Sequence, residues 1–453
     1  MIRKLLIANR GEIAVRIIRA CRELGIETVA VYSTADRDAL HTQLASEAIC
    51  IGDIRSADSY LNMESILSAA IATGADAIHP GFGFLSENSR FAAVCETCGI
   101  TFVGPNSRVM ERLGNKSEAR RTMLAAGVPV IPGSEEVILS EERGRQVAAE
   151  IGYPVIIKAV LGGGGKGMRT AANEEEFAAA FRTAQKESEM AFGSREMYLE
   201  HYVEAPKHIE FQILADRYGH VIHLGERDCS VQRNHQKMIE EAPCEALSAT
   251  LRAEMGCVAV QAAKAAGYEN AGTIEFLLDG NGRFYFMEMN TRIQVEHPIT
   301  ECVTGVDLVK EQIRIAEGKP LSVKQEDVVL RGHAIECRIN AEEPEKKFRP
   351  SSGTITQLYL PGGNGVRVDT AVYSGYEVTP YYDSMLAKLI VHGRNREEAI
   401  SKMRSALGEV IIEGIHTNLD YQYEILNDEE FAAGNITVNF LEDFARRRET
   451  RNE

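Results

Sequence analysis

The sequence predicts a mixed fold, α/β at its start and α+β beyond, and three observations lead there. Over the first third, short apolar runs alternate with amphipathic helices. Further on, strand-like runs follow one another across glycine hairpins and polar loops. At 453 residues the chain is long for one core, so three domains are expected.

Residues 4–8 are a short buried strand, and the helix after it carries Ile13, Ile17, Cys21 and Leu24 on one face. Gly25 stands where a left-handed C-cap is needed, and residues 27–32 form the next strand. A helix at 63–73, closed by Gly74, leads into a strand at 75–79. Strands alternating with helices give a parallel sheet covered on both faces. The segment His79-Pro-Gly-Phe-Gly-Phe-Leu-Ser-Glu-Asn88 follows a strand's carboxyl end, where such sheets bind ligands, although its glycines and proline also suit a plain turn. The first strand–helix turn, Asn9-Arg-Gly-Glu12, lacks G-x-G-x-x-G, so this part is Rossmann-like without a dinucleotide site.

Pro129, Pro132 and Gly133 mark a linker into a small subdomain. There a strand at 153–158 meets Gly162-Gly-Gly-Gly-Lys-Gly-Met-Arg169 and a returning strand at 168–171. No helix opens after the glycines and Gly167 takes the Ser/Thr position of a Walker loop, so a mobile hairpin is expected, its bare amides closing over phosphates beside Lys158 and Lys166. Strands follow at 196–200 and 208–214. Residues 228–237 are polar and turn-like, offering Gln232, His235 and Lys237. Residues 271–277 are a strand that puts Glu275 among apolar neighbours, a costly burial unless paired. Glu336 and Arg338 share a strand face within 331–340 and could simply pair with each other. The chain closes with a helix from about Asn439 and a charged tail expected to fray.

Lys and Arg total 50 against 66 Asp and Glu, a formal charge of −16. That field repels nucleic acid, and any anion site must be made by local cations. No apolar run approaches the roughly 18 residues that span a bilayer, and no secretory signal opens the chain, so neither membrane nor nucleic acid is an expected partner. Nine scattered cysteines suit a reducing cytoplasm, and Cys95-x-x-Cys98 is expected to be two small residues on one helix.

The most informative stretch is Met287-Glu-Met-Asn-Thr-Arg-Ile-Gln-Val-Glu-His297. On a strand, Glu288 and Asn290 share one face with Cα atoms roughly 6.6 Å apart, while Met287 and Met289 turn to the other, into packing. A carboxylate and an amide oxygen are hard donors suited to magnesium. A cation shared by Glu275 and Glu288 would relieve their repulsion. Arg292, Gln294 and Glu296 add a fixed cation, an amide and a base, a set suited to phosphoryl transfer onto a small anion.

These motifs, with Ile7-Ala-Asn-Arg-Gly-Glu-Ile13, Glu226-Arg-Asp-Cys229 and Tyr381-Tyr-Asp-Ser-Met385, resemble the biotin carboxylase family of ATP-grasp ligases from residue 1 to about 444. The resemblance implies a Rossmann-like N-terminal domain (1–114), an ATP-grasp domain (115–330) with a lid at about 131–203, a C-terminal biotin carboxylase domain (331–446) and a frayed tail (447–453). It implies that ATP phosphorylates bicarbonate to carboxyphosphate and that the carboxyl group passes to biotin on a carrier protein. Lys116, Lys158 and the loop Gly163, Gly164 and Gly165 would hold phosphates. Glu200, His201 and Val203 would line the adenine pocket, with His208, Gln232 and His235 nearer ribose and phosphates, and Leu277 would also bind ATP. Glu275, Glu288 and Asn290 would bind two magnesium ions, for which manganese can substitute. Lys237, Arg292, Gln294 and Val295 would hold bicarbonate, Glu296 would deprotonate it, and Arg338 would stabilise the biotin enolate. Phe82, on the biotin side, stands where the family pattern has tyrosine. His201 and Asn234 stand where lysine and arginine are usual. With no Ala-Met-Lys-Met sequence, separate carrier and carboxyltransferase subunits are expected, as is a homodimer. Acetyl-CoA carboxylase is the default complex, with propionyl-CoA or pyruvate carboxylase, or another ATP-grasp ligase, as alternatives.

Overall fold

The computed structural model describes residues 1–134, 136–160 and 167–452. Two compact units divide it: residues 1–126, 208–275 and 288–453 form the first, and 127–207 with 276–287 the second.

The first unit opens with strand β1 (Lys4–Ile7), helix α1 (Gly11–Glu23) and strands β2 (Glu27–Ser33), β3 (Glu47–Gly52), β4 (Ala77–His79) and β5 (Thr101–Phe102). They make a parallel sheet of order β3-β2-β1-β4-β5. The face of α1 carrying Ile13, Ile17 and Cys21 is buried, and Gly25 takes the expected left-handed turn at φ +72°. Cys95 is buried on the helix Ser89–Thr97 and Cys98 is exposed at its C-cap, so this pair packs as two small residues. The loop after β4 is tied to the end of β1: Asn9 Nδ2 donates to the Pro80 and Phe82 carbonyls at 2.7 Å each. Gly81, at φ +64°, admits this close approach, because a Cβ there would come within 3.0 Å of the Asn9 amide.

The second unit holds a three-stranded antiparallel sheet of β6 (Val155–Ala159), β7 (Met168–Ala171) and β8 (Met197–His201), in the order β7-β6-β8. It packs on Phe177 and Phe181, stacked at 5.6 Å on the helix Glu174–Phe192. Of the glycines between β6 and β7, the run that includes Gly163, Gly164 and Gly165 lies outside the described residues.

The larger sheet has eight strands. Six are β9 (Lys207–Ala215), β10 (Val221–Arg233), β11 (Gln236–Ala242), β12 (Asn270–Leu278), β13 (Phe284–Asn290) and β14 (His333–Asn340). The order is β13-β12-β9-β10-β11-β14, continued by strands Met385–Gly393 and Val366–Thr370. Three expectations change here. Residues 228–237 are not a loop but two long strands joined by a two-residue turn, with Asn234 at φ +49° and His235 at φ +64°. Such a turn matches strand twist and favours asparagine, which explains Asn234. Of the two methionines, Met289 is buried but Met287 is 37% exposed, at the less covered part of β13. Where fraying was expected from 447, the helix Phe440–Asn452 continues, with Arg447 on Asp428 at 2.9 Å and Arg448 on Glu424 at 2.6 Å. Among the described residues no helix is long and apolar enough to cross a membrane.

Candidate active site

Alternation along the strands of the first unit builds the site. On β9, His208, Glu210 and Gln212 project to one face and Ile209, Phe211 and Ile213 to the other, all buried. β12 contributes Glu275, β14 Arg338, and β11 both Lys237 and Glu240, where a register shift in the β10–β11 pairing at Met238 interrupts the alternation between them.

Lys237 is the hub. Its ammonium lies 2.5 Å from Glu210, 2.6 Å from Glu296 and 3.3 Å from Glu275. Glu275 is 4% exposed and also takes His208 Nε2 at 2.9 Å, Asn290 Nδ2 at 2.7 Å and Gln294 Nε2 at 2.9 Å. Burial alone would raise its pKa, but Lys237 and His208 outweigh that and hold it below the ordinary carboxylate range. Burial likewise opposes charge on His208, and Glu275 prevails, so its pKa is raised.

Glu296 is fully buried between two cations, Lys237 at 2.6 Å and Arg338 Nη2 at 3.0 Å. Desolvation pushes its pKa up, while Lys237, Arg338 and Arg227 pull it well below the usual value. Arg338 does not pair with Glu336, as their shared face suggests. It reaches Glu240 at 2.5 Å as well as Glu296. Both Glu336 oxygens are buried without a hydrogen-bond partner among the described residues, and burial raises its pKa well above normal, with Lys388 opposing and Glu240 repulsion adding to the rise. Arg292 donates to Glu87 at 2.9 Å, Gln294 at 2.8 Å and Asn290 at 3.0 Å.

Glu288 behaves differently. It is exposed, and its carboxylate has no hydrogen bond or ion pair to a described residue. The protein around it raises its pKa by desolvation and then by repulsion from Glu275, with Lys116 opposing. Donor atoms of His208, Glu210 and Glu275 also lie within 4.8 Å of one another. Glu210 is already matched by Arg227 and Lys237, whereas the Glu288 carboxylate has no ion pair to a described residue, so the residues present fit a hard divalent cation held by Glu288 with Asn290 and Glu275.

The structure thus gathers His208, Lys237, Glu275, Asn290, Arg292, Gln294, Glu296 and Arg338 into one hydrogen-bonded network. Gln232 and His235 stand at the β10–β11 tip and make no hydrogen bond into it among the described residues. Lys116 is exposed at the start of the helix Lys116–Ala125. Phe82 is half-buried against Lys388. In the second unit Lys158 on β6 pairs with Glu200 on β8, His201 Nδ1 lies 3.1 Å from the Gly152 carbonyl, Val203 is buried and Leu277 half-buried.

Sequence reasoning missed Glu87, Glu210, Arg227 and Glu240. Arg227 is fully buried on Glu210 at 2.5 Å, Gln212 at 2.8 Å and Thr300 at 2.9 Å. The alternation His208-x-Glu210-x-Gln212 within an apolar strand carried the signal for Glu210.

Three family models match the chain: "Biotin carboxylase, N-terminal domain" over residues 1–110, "Carbamoyl-phosphate synthase L chain, ATP binding domain" over 115–324, and "Biotin carboxylase C-terminal domain" over 336–443. Biotin carboxylase 1 of Bacillus subtilis is 58% identical over 98% of this chain and 99% of its own. A pyruvate carboxylase subunit of Methanothermobacter thermautotrophicus is 53% identical over 98% and 91%. Among solved structures, the Campylobacter jejuni biotin carboxylase–β,γ-ATP complex superposes with a TM-score of 0.93 at 48% identity, covering 98% of this chain and 99% of that one. The biotin carboxylase domain dimer of Hydrogenobacter thermophilus 2-oxoglutarate carboxylase, with MgADP, ADP and bicarbonate, gives 0.91 at 52% identity, covering 98% of each.

Proposed function

The chain belongs to the biotin carboxylase family, and on that premise we propose how its residues divide the reaction. It is an ATP-grasp ligase that uses ATP, magnesium and bicarbonate to carboxylate biotin. Magnesium, when bound, neutralises phosphate charge at Glu275, Glu288 and Asn290. Lys116, Lys158 and Gly163–Gly165 hold the phosphates. Glu200, His201, Val203 and Leu277 hold adenine, and His208, Gln232 and His235 lie toward the ribose and phosphates. Lys237, Arg292, Gln294 and Val295 hold bicarbonate. Glu296 takes its proton, ATP's γ-phosphoryl group moves to the bicarbonate oxygen to give carboxyphosphate, and ADP leaves. Carboxyphosphate then gives up its carboxyl group with phosphate as the leaving group, the ureido N–H proton passes to that phosphate, and Arg338 stabilises the oxyanion of the biotin ureido group as the nitrogen accepts the carboxyl group, with Phe82 beside it.

One observation carries this division: Glu296 bridges the cation assigned to bicarbonate, Lys237, and the cation assigned to biotin, Arg338. With both cations on it Glu296 is ionised but a weak base. Anionic bicarbonate draws on the same cations, which raises the basicity of Glu296 as that substrate arrives. ATP cleavage followed with and without bicarbonate, then with free biotin, tests the reading. Cleavage should require bicarbonate and rise with biotin, and bicarbonate-independent cleavage refutes it.

We place the chain as the carboxylase subunit of a cytoplasmic acetyl-CoA carboxylase supplying malonyl-CoA, a homodimer working with a biotin carboxyl carrier protein and a carboxyltransferase. The domain limits 1–114, 115–330 and 331–446 belong to this reading. The 53% identity to a pyruvate carboxylase component supports a second assembly, of the two-subunit pyruvate type. Copurifying the biotinylated partner and assaying its acyl or keto-acid acceptor decides between them.

A further inference from the structure

Lys388 is buried to 0% exposure on strand Met385–Gly393, one strand beyond β14 and directly opposite Arg338. Lysine is almost never enclosed unless its charge is matched. Among the described residues its ammonium has two polar partners: the Val295 carbonyl at 2.9 Å and Glu12 Oε1 of α1 at 3.0 Å, with the Phe82 ring centroid 5.9 Å away. Adjacent residues of one loop are therefore gripped by neighbouring strands, Val295 by its carbonyl through Lys388 and Glu296 by its carboxylate through Arg338.

We infer that Lys388 is a positioning residue for bicarbonate, acting through the peptide that joins Val295 to Glu296. In a trans peptide the C=O and N–H point in opposite directions, so holding the Val295 oxygen sets where the Glu296 N–H points. A cation on the carbonyl also polarises the peptide, making that N–H a better donor to an anion. Among the described residues the Val295 and Glu296 N–H groups have no acceptor, so both are available to a ligand. Glu12 supplies the counter-charge: among the described residues neither of its oxygens has any other partner, and α1 carries it against the sheet strand Val366–Thr370, next to Lys388. A methionine would fill the same space at less electrostatic cost, and the ammonium adds the hold on Val295.

This rests on the bicarbonate role given to residues 292–296. The full chain is compared as wild type, Lys388→Met and Lys388→Arg in bicarbonate-dependent ATP cleavage, with melting temperature measured alongside. Losing a charged hydrogen bond should raise KM for bicarbonate about tenfold in Lys388→Met with KM for ATP unchanged, and Lys388→Arg should restore part of it. Equal changes in both KM values, or none in that for bicarbonate, overturn the inference. If Lys388→Met does not fold, Glu12→Gln decides: a rise in bicarbonate KM of about twofold or more with ATP KM unchanged supports it, and any other pattern overturns it. Wild-type cleavage indifferent to bicarbonate would instead overturn the underlying role of the loop.

Discussion

Glu240 and Glu241 are consecutive on β11, both essentially buried, and project to opposite faces of one sheet. Glu241 is fully matched: Arg396 donates to both its oxygens, at 2.7 and 2.9 Å, and His333 Nε2 lies 2.8 Å away. Burial raises its pKa, but His333 and Arg396 outweigh that and bring it to about 2. Arg396 also donates to the Phe431 and Ala432 carbonyls, so the cluster ties helix ends to the sheet. Glu240 shares Arg338 with Glu296, faces Glu336 in register, and leaves one oxygen without a partner. Its pKa rises to about 7, through burial first, against Arg338 and with Glu296 repelling. Burial does not separate the structural carboxylate from the one beside the chemistry; completeness of pairing does. A face with more acid than cation is one where anions and metal can rearrange the charges.

The largest effect should follow from attacking the under-paired face. Glu296→Gln should lower bicarbonate-dependent ATP cleavage by about a thousandfold, the usual scale for removing a positioned base. Rates within tenfold of wild type would remove Glu296 as the base. Arg338→Ala should cut biotin carboxylation by about a hundredfold while bicarbonate-dependent cleavage persists, because the ureido oxyanion loses the cation assigned to it whereas Glu296 keeps Lys237. Parallel losses in both assays would contradict that split.

The paired face should answer in stability. Glu241→Gln leaves Arg396 without its counter-charge and should cost about 3 kcal/mol in denaturant unfolding, with activity per folded molecule unchanged. Since the folded pKa of Glu241 lies below its ordinary 4.5, its stabilisation is present above pH 4.5 and is lost as pH falls toward about 2. Glu241→Gln should flatten that acid limb.

The smallest effect belongs to Glu240, with the opposite sign. Its folded pKa is raised, so the stability it contributes is present below pH 4.5 and lost as pH rises through about 7. Glu240→Gln should remove that loss, worth on the order of 1 kcal/mol because neighbouring carboxylates share the proton. A steeper neutral-pH loss in the variant would mean that Glu240 is better paired than its neighbours indicate.

Much of this was legible in the residues alone. The first sheet followed from short apolar runs and capped helices, and the motif from Glu288 to Glu296 from donors close in sequence. The β10–β11 hairpin was not, because its turn is asparagine and histidine at positive φ rather than the glycine that advertises such turns. Arg227 escaped because it sits between Glu226 and Asp228, which look like its natural partners, whereas its ion pair is with Glu210 of the next strand, and Glu210 in turn finds its cations only on β10 and β11.

By itself the sequence determined what neighbours along the chain can do: strand alternation puts Glu288 beside Asn290, and a short loop strings Arg292, Gln294 and Glu296 together. Only the tertiary structure decided which charge meets which. Alternation separates Glu240 from Glu241 but does not say which face holds Arg338 and which holds Arg396. That choice comes from the register of β11 on β14 and from the helix packed behind, and sliding the pairing by one residue would exchange the two.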